Sequence, residues 1–152
     1  MFFFCFIEDF CLFSMPRFSL VQEMNKQNSV LIILRVYLAV TMIIHGIARI
    51  YADGASPFGD FLNMQGFPLG FYLAWAITIF EIIGGIVLLI GYLIPIISIL
   101  FAIQLIIGII LVHAPSGWFV VGLGRNGMEY SVLLIISFVC VAYANFGEKN
   151  SE

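Results

Sequence analysis

Four long apolar stretches divide the chain, near residues 29–51, 69–91, 95–113 and 128–146. Each is close to the roughly 20 residues that a helix needs to cross the hydrocarbon core of a bilayer. Inside hydrocarbon only helices and closed barrels satisfy all their backbone hydrogen bonds, and these stretches lack the polar–apolar alternation of barrel strands. The pattern therefore predicts four transmembrane helices. Because the links between them are short, we expect an all-α, integral membrane four-helix bundle with up-down-up-down topology.

The composition agrees with a membrane protein. Of the 152 residues, 62% are hydrophobic and 10% are charged, and the mean hydropathy is +1.12. A soluble domain carries about a quarter charged residues, so this chain lacks the polar surface that a protein in water requires. We therefore expect the lipid bilayer to surround it. The formal net charge of -3 offers no basic patch, which excludes nucleic acid as a partner. The three cysteines form no CxxC or Cys/His cluster and predict no metal site.

Residues 1–23 form a phenylalanine-rich leader. It is too short and too often interrupted by charged residues and proline to span a bilayer, and it lacks the basic start of a secretory signal. Two interpretations stay open: the leader is an interfacial amphipathic segment, or translation begins at Met24. In either case we expect residues 24–152 to form a single membrane domain.

The basic residues favour one orientation in the membrane. On the side of the two termini lie Arg17, Lys26 and Lys149, and on the opposite side lie Arg49 and Arg125. Because basic residues concentrate on the cytoplasmic side, this distribution favours both termini in the cytoplasm.

Seven polar or ionisable side chains fall within the apolar stretches or at their ends. An ionisable group at the centre of a bilayer costs about a few kcal/mol or more, so each of them should face the interior of the bundle and find a partner there. These side chains are Arg35, His45, Arg49, Glu81, Gln104, His113 and Glu129.

Three of these side chains are predicted to share one layer. At about 1.5 Å per residue from the cytoplasmic ends of the spans, Arg35 lies about 9 Å deep, Gln104 about 14 Å and Glu81 about 15 Å. One interpretation is a charge pair between Arg35 and Glu81 that fixes helix register, with Gln104 as a further partner. The other is a functional site in which Glu81 transfers protons or binds a polar head group.

The second predicted span supports an inward position for Glu81. At about 100° per residue, one face of that helix carries Ala74, Thr78, Glu81 and Gly85. Small side chains on this face let a neighbouring helix approach closely. We therefore expect Glu81 to point into the bundle.

The remaining four side chains are predicted to form a second layer near the outer surface. The same arithmetic places His45 about 24 Å deep, Glu129 about 26 Å, His113 about 27 Å and Arg49 about 30 Å. One interpretation is a set of polar groups at head-group depth. The other is a small pocket in which the two histidines bind a ligand from the outer leaflet or transfer its protons, with Arg49 and Glu129 setting their charge. Two histidines are weak indications of haem or copper, and we predict neither.

Five short motifs occur in order at or within the ends of the predicted spans. They are His45-Gly46, Gly66-Phe67-Pro68, Glu81-Ile82-Ile83-Gly84-Gly85, His113-Ala114-Pro115-Ser116-Gly117-Trp118-Phe119 and Gly127-Met128-Glu129-Tyr130. With these motifs, residues 30–146 resemble the DoxX family of small four-helix membrane proteins, although Arg49 stands where that family more often has Lys. The resemblance implies a multi-pass protein of the bacterial cytoplasmic membrane. Relatives are described as the small subunit of a thiosulfate:quinone oxidoreductase or as membrane parts of oxidoreductase complexes linked to oxidative-stress defence.

The first function considered is that of a quinone-linked redox subunit. Reduction of a quinone by two electrons consumes two protons, for which Glu81 and His45 are the candidate catalytic donors, while Arg35 or Arg49 stabilises the anionic reduced ring. The other candidate ligand-binding residues are Gln104, His113 and Glu129. The chain has no motif for taking electrons from a donor, so we expect a quinone without any covalently bound cofactor, and a redox partner protein that carries the electron donor.

The second function considered is that of a non-catalytic membrane module. In this alternative the chain is a scaffold for a complex, or passes a small solute, and its buried charges fix helix register or line a path. The sequence does not decide between the two functions. It also leaves open whether the protein forms a homo-oligomer.

Overall fold

The computed structural model describes residues 17–122 and 126–146, with side chains from residue 26 onward. The predictions for the leader before Arg17, for Arg125 and for Lys149 lie outside these residues, and the domain division at residue 24 stays a prediction. The chain divides into two compact units, Met1–Ile33 and Leu34–Glu152. The second unit contains the packed helices and the polar cluster described below.

Five α-helices form the described part of the chain. The link that follows α4 continues it with a π-helical turn, Ile109–His113, and a 3-10 turn, Ala114–Ser116. The α-helices are α1 (Arg17–Tyr51), α2 (Ala55–Met64), α3 (Gly70–Ile90), α4 (Ile94–Gly108) and α5 (Glu129–Asn145).

The helices have the length and composition of membrane spans. Three segments are long and apolar enough to cross a bilayer, namely Lys26–Tyr51, Gly70–Ile90 and Ile94–Ser116, and α5 is a shorter apolar helix of 17 residues. Residues 17–122 and 126–146 contain no β-strand. The described part of the chain is therefore all-helical, and the protein is a multi-pass membrane protein. The predicted spans agree with α3, α4 with its π turn, and α5 to within about a residue at each end.

The turn between α3 and α4 is set by local backbone chemistry. Gly91 ends α3 with φ at 88°, a left-handed conformation that glycine adopts without strain. The amide of Tyr92 donates to the carbonyl oxygen of Val87 at 3.1 Å, which completes the capping pattern. Pro95 lies in the first turn of α4, where its missing N–H costs nothing.

Glycines let α1 and α3 cross closely. A Cβ atom built on Gly46 would lie 2.7 Å from Ile82 Cγ1 and 3.0 Å from the carbonyl oxygen of Thr78. A Cβ atom on Gly85 would lie 2.6 Å from Ile43 Cγ1 and 3.0 Å from the carbonyl oxygen of Ala39. Because the later part of α1 meets the earlier part of α3, the two helices run antiparallel where they cross. Such close backbone approach is typical of packing between membrane helices.

Aromatic rings fill the core between α3, α4 and α5. The Phe101 ring lies 4.8 Å from that of Phe80 and 5.3 Å from that of Phe138, measured between centroids. Leu38 and Met42 of α1 join the same core, and each is 1% exposed. The apolar centre therefore holds side chains from all four long helices.

Helix α2 was not anticipated in the link between the first two spans. Its positions Ala55, Gly59 and Leu62 are buried at helical spacing, and the backbone of Gly59 packs directly on Gly70 at the start of α3. Asn63 Oδ1 accepts a hydrogen bond from the Gly70 amide at 2.9 Å. The ten-residue helix is too short to be stable alone, and this packing holds it in place.

Candidate functional site

Glu81 lies on the buried face of α3, as predicted. Its side chain is 3% exposed. Ala74, Thr78 and Gly85, which share its helical face, are buried as well. A carboxylate in this position requires partners within the bundle, because an unpaired charge at this depth is very costly.

Arg49 of α1 supplies the main partner. Its guanidinium binds both carboxylate oxygens of Glu81, with Nη1 at 2.8 Å from Oε2 and Nη2 at 3.1 Å from Oε1. Nη1 also donates to Thr78 Oγ1 at 3.1 Å, while that hydroxyl donates to the carbonyl oxygen of Ala74 at 2.7 Å. This two-point geometry suits a planar guanidinium and is stronger than a single contact.

Gln104 brings α4 into the same cluster. Its Nε2 donates to Glu81 Oε1 at 2.6 Å, so Glu81 accepts hydrogen bonds from two neighbouring helices. Within the described residues, Gln104 Oε1 is buried and has no hydrogen-bond partner. We call Arg49, Thr78, Glu81 and Gln104 the polar cluster. It links α1, α3 and α4, and it leaves one buried acceptor free for a donor group.

Phe58 of α2 covers the outer side of Arg49. Its ring centroid lies 4.8 Å from Arg49 Cζ, a distance that suits a cation–π contact. The Arg49 side chain remains 19% exposed. Arg49 is therefore partly accessible from outside the bundle, whereas Glu81 is buried.

The predicted pair between Arg35 and Glu81 is wrong. Arg35 lies instead against the turn at the end of α3, where a Cβ atom on Gly91 would be 3.0 Å from Arg35 Nη1. A cation in this position is favourable, because the carbonyl groups at a helix C-terminus carry partial negative charge. Arg35 is level with the end of α3 and therefore lies near the membrane surface. A span that starts at residue 29 would place Arg35 about six residues, or about 9 Å, deeper than this.

The predicted outer position of Arg49 is wrong for a related reason. Gly46 packs beside Glu81, so the stretch of α1 just before Arg49 is level with the carboxylate. Helical side chains lean towards the N-terminus of their own helix, and a long arginine side chain spans the remaining distance.

The other predicted site residues form no hydrogen bond with the polar cluster. His45 is exposed on α1. His113 Nδ1 donates to the carbonyl oxygen of Asn126 at 2.8 Å. Glu129 Oε1 accepts from the Val120 amide at 3.1 Å. His113 and Glu129 thus hold the link before α5, and neither forms a hydrogen bond or an ion pair with His45 or Arg49.

The structure also shows partners that sequence reasoning did not assign. From the sequence, Thr78 was predicted only to be a small residue on the inner face of α3. Its hydroxyl lies on the same helical face as Glu81, and this position could have indicated a hydrogen-bonding role. Phe58 lies in a segment that was predicted to be a loop. Nothing in its sequence indicated a contact with Arg49. Among the described residues, no three His, Cys, Asp or Glu side chains are grouped to hold a metal ion.

Comparison with known protein families gives a match for this chain. The sequence profile of the DoxX family matches residues 30–114, more than half of the chain. The chain belongs to the DoxX family. The DoxX match contains every member of the polar cluster, and α5 lies beyond it. No curated protein and no solved structure matches the chain.

Proposed function

We propose that this DoxX protein is the membrane subunit of a quinone-linked oxidoreductase complex, and that the polar cluster receives the head group of the quinone. The observation that carries the proposal is the buried carboxylate of Glu81, paired with Arg49 inside an apolar bundle. An ionisable residue in a membrane span is costly to keep, and such residues mark ligand or proton pathways more often than other positions do.

The chemistry of the polar cluster suits a quinone. Quinone reduction requires proton donors and groups that stabilise negative charge on the ring oxygens. Glu81 is a carboxyl group that can carry a proton, and Arg49 is a fixed cation beside it. The free Oε1 of Gln104 can accept a hydrogen bond from the hydroxyl of the reduced quinone. His45, which is exposed on the same face of α1, is the proposed second proton donor.

The electrons come from elsewhere in this proposal. The chain carries no motif for taking electrons from a donor, so we propose a partner protein that holds the redox centre or the substrate site. We also propose that the protein lies in the bacterial cytoplasmic membrane with both termini in the cytoplasm. The antiparallel crossing of α1 and α3 supports an up-down-up-down order of the long helices.

Binding of a quinone analogue tests the proposal. We expect saturable binding to the purified protein in detergent, weakened about tenfold or more by Glu81→Gln, because that change removes the charge-assisted contacts that hold the Arg49 guanidinium in place. Arg35→Gln is the matched control, since Arg35 lies outside the polar cluster and should leave affinity unchanged. Near-ultraviolet circular dichroism in the same detergent checks folding. Absence of saturable binding to the folded wild-type protein would reject the proposal.

The contacts of the polar cluster also favour a second function, that of a scaffold whose buried charges fix helix register. The ion pair is bidentate and joins three helices, which is also what a device that fixes helix register requires. If register is its sole role, replacing both partners by apolar residues, as in Arg49→Met with Glu81→Leu, leaves folding and complex assembly near normal. If the polar cluster binds quinone, the same double variant folds but loses analogue binding.

A further inference from the structure

We infer that the polar cluster is open sideways to the lipid beside His45 and closed by α2 at the end of the bundle. Its ligand is then a hydrophobic compound with a hydrogen-bond-accepting head group that arrives through the bilayer, not from water. The identity of this ligand as a quinone rests on the proposed function, whereas the route of access can be tested without it.

One face of α1 is buried in its earlier part and partly exposed further along the helix. Leu38, Met42, His45 and Arg49 follow one another at helical spacing and share this face. Leu38 and Met42 are each 1% exposed. His45 is exposed, and the Arg49 side chain is 19% exposed. The neighbouring helices therefore cover this face up to Met42, and beyond that residue they leave His45 exposed and Arg49 partly exposed.

The opening lies at the depth of the hydrocarbon core. Gly46, the next residue after His45, packs against the Cβ atom of Glu81. Glu81 lies near the middle of the 21-residue helix α3, so it is about 15 Å from either end of that span. His45 is level with it and consequently faces lipid rather than water.

An imidazole that faces hydrocarbon requires a polar partner, because an unpaired polar group at this depth is costly. Within the described residues, no side chain forms a hydrogen bond with His45. The imidazole N–H of His45 therefore lies at the opening, and the guanidinium N–H groups of Arg49 follow one turn along the same face. A head group with carbonyl oxygens fits these donors, and a hydrocarbon tail suits the surrounding lipid.

The end of the bundle is closed by α2. The backbone of Gly59 lies against Gly70 and Phe71. A Cβ atom built on Gly59 would lie only 2.8 Å from Phe71 Cα. Phe58 in the same helix stacks on the Arg49 guanidinium. A water-soluble ligand arriving from this end would have to displace α2 to reach Glu81.

Spin labels test the route directly. In a variant with Cys5, Cys11 and Cys140 replaced by Ser, a nitroxide at His45→Cys is compared with labels at Ile44→Cys and Asp60→Cys in liposomes. Position 44 is 58% exposed on the apolar surface, and we expect position 45 to resemble it. At both positions the label should collide several-fold more often with oxygen, which dissolves in lipid, than with a water-soluble nickel chelate. Position 60 on α2 should show the reverse. Preferential collision with the nickel chelate at position 45 would overturn the inference, and so would protection from both reagents, which would indicate that a second copy or another protein covers His45.

Blocking the opening tests its use by a ligand. We expect His45→Trp to weaken binding of a membrane-partitioning quinone analogue about tenfold, while Ile44→Trp, on the adjacent lipid-facing side, changes it less than about twofold. Equal effects of the two variants would contradict the lateral route. If the wild-type protein binds no analogue, the proposed function fails, and the spin-label comparison still decides the inference about access.

Discussion

Glu81 is stable in the interior because its carboxylate is fully engaged by neighbours. It accepts two hydrogen bonds from Arg49 and one from Gln104, while its own side chain is 3% exposed. Thr78 contributes by accepting from the same guanidinium. Removing one partner of such a pair leaves an uncompensated buried charge, which costs more than the pair itself contributes.

The pairing predicts unequal effects of two arginine substitutions. We expect Arg49→Gln to lower the free energy of unfolding by about 3 kcal/mol or more, because Glu81 loses its buried counter-charge. Arg35→Gln removes only a contact at the α3 C-terminus, so we expect a loss of about 1 kcal/mol or less. Unfolding in mixed micelles of increasing SDS fraction measures both. Equal losses in the two variants would contradict the observed pairing.

At the scale of the helices, the close crossing of α1 and α3 brings Arg49 to Glu81. It depends on Gly46, where an added methyl group would meet the backbone oxygen of Thr78 at 3.0 Å. Backbone atoms cannot rotate away as a flexible side chain can. An alanine at this position must therefore push the two helices apart.

A pair of glycine variants tests this crossing. We expect Gly46→Ala to destabilise the protein by about 1–3 kcal/mol through overpacking. Gly108→Ala is the matched control, since a Cβ atom there meets nothing within 4 Å and alanine favours a helix by about 1 kcal/mol over glycine. Thermal unfolding in detergent compares them. A stable Gly46→Ala protein with unchanged affinity for the quinone analogue would show that the close crossing is dispensable.

The sequence predicted some of these elements well and missed others for physical reasons. The apolar stretches placed the ends of α3 and α4, because the bilayer thickness fixes how long an apolar helix must be. Helix α2 was missed because its burial depends on contact with α3, which no local pattern reveals. The inward position of Glu81 followed from the small residues on its face and is confirmed by its burial.

At the scale of the whole molecule, the relative heights of the helices decided which charges meet. The sequence placed Glu81 and Gln104 in one layer, and the structure joins them through a hydrogen bond. The sequence predicted Arg35 rather than Arg49 as the partner of Glu81. That prediction assumed that all spans start at the same depth, whereas α1 is shifted along its axis relative to α3. Register between helices is set by packing such as that of Gly46, and hydropathy alone carries little information about it.

The orientation of the molecule in the membrane yields a separate prediction. If both termini are cytoplasmic, a green fluorescent protein fused after residue 152 is fluorescent, while alkaline phosphatase fused there is inactive, because the latter needs an oxidising compartment for its disulfides. A phosphatase inserted after Met64, at the end of α2, should be active. The opposite pattern would place the termini on the outer side and contradict the positive-inside assignment.

The most direct test of a shared ligand site is a double-mutant cycle on quinone-analogue binding. Affinity is measured for the wild type, Glu81→Gln, Arg49→Gln and the double variant, each checked for folding in the same detergent. If the two residues act together on one head group, each single change weakens binding about tenfold and the double variant loses little more. Independent losses that multiply to about a hundredfold, or unchanged affinity in all variants, would contradict a shared site at Arg49 and Glu81.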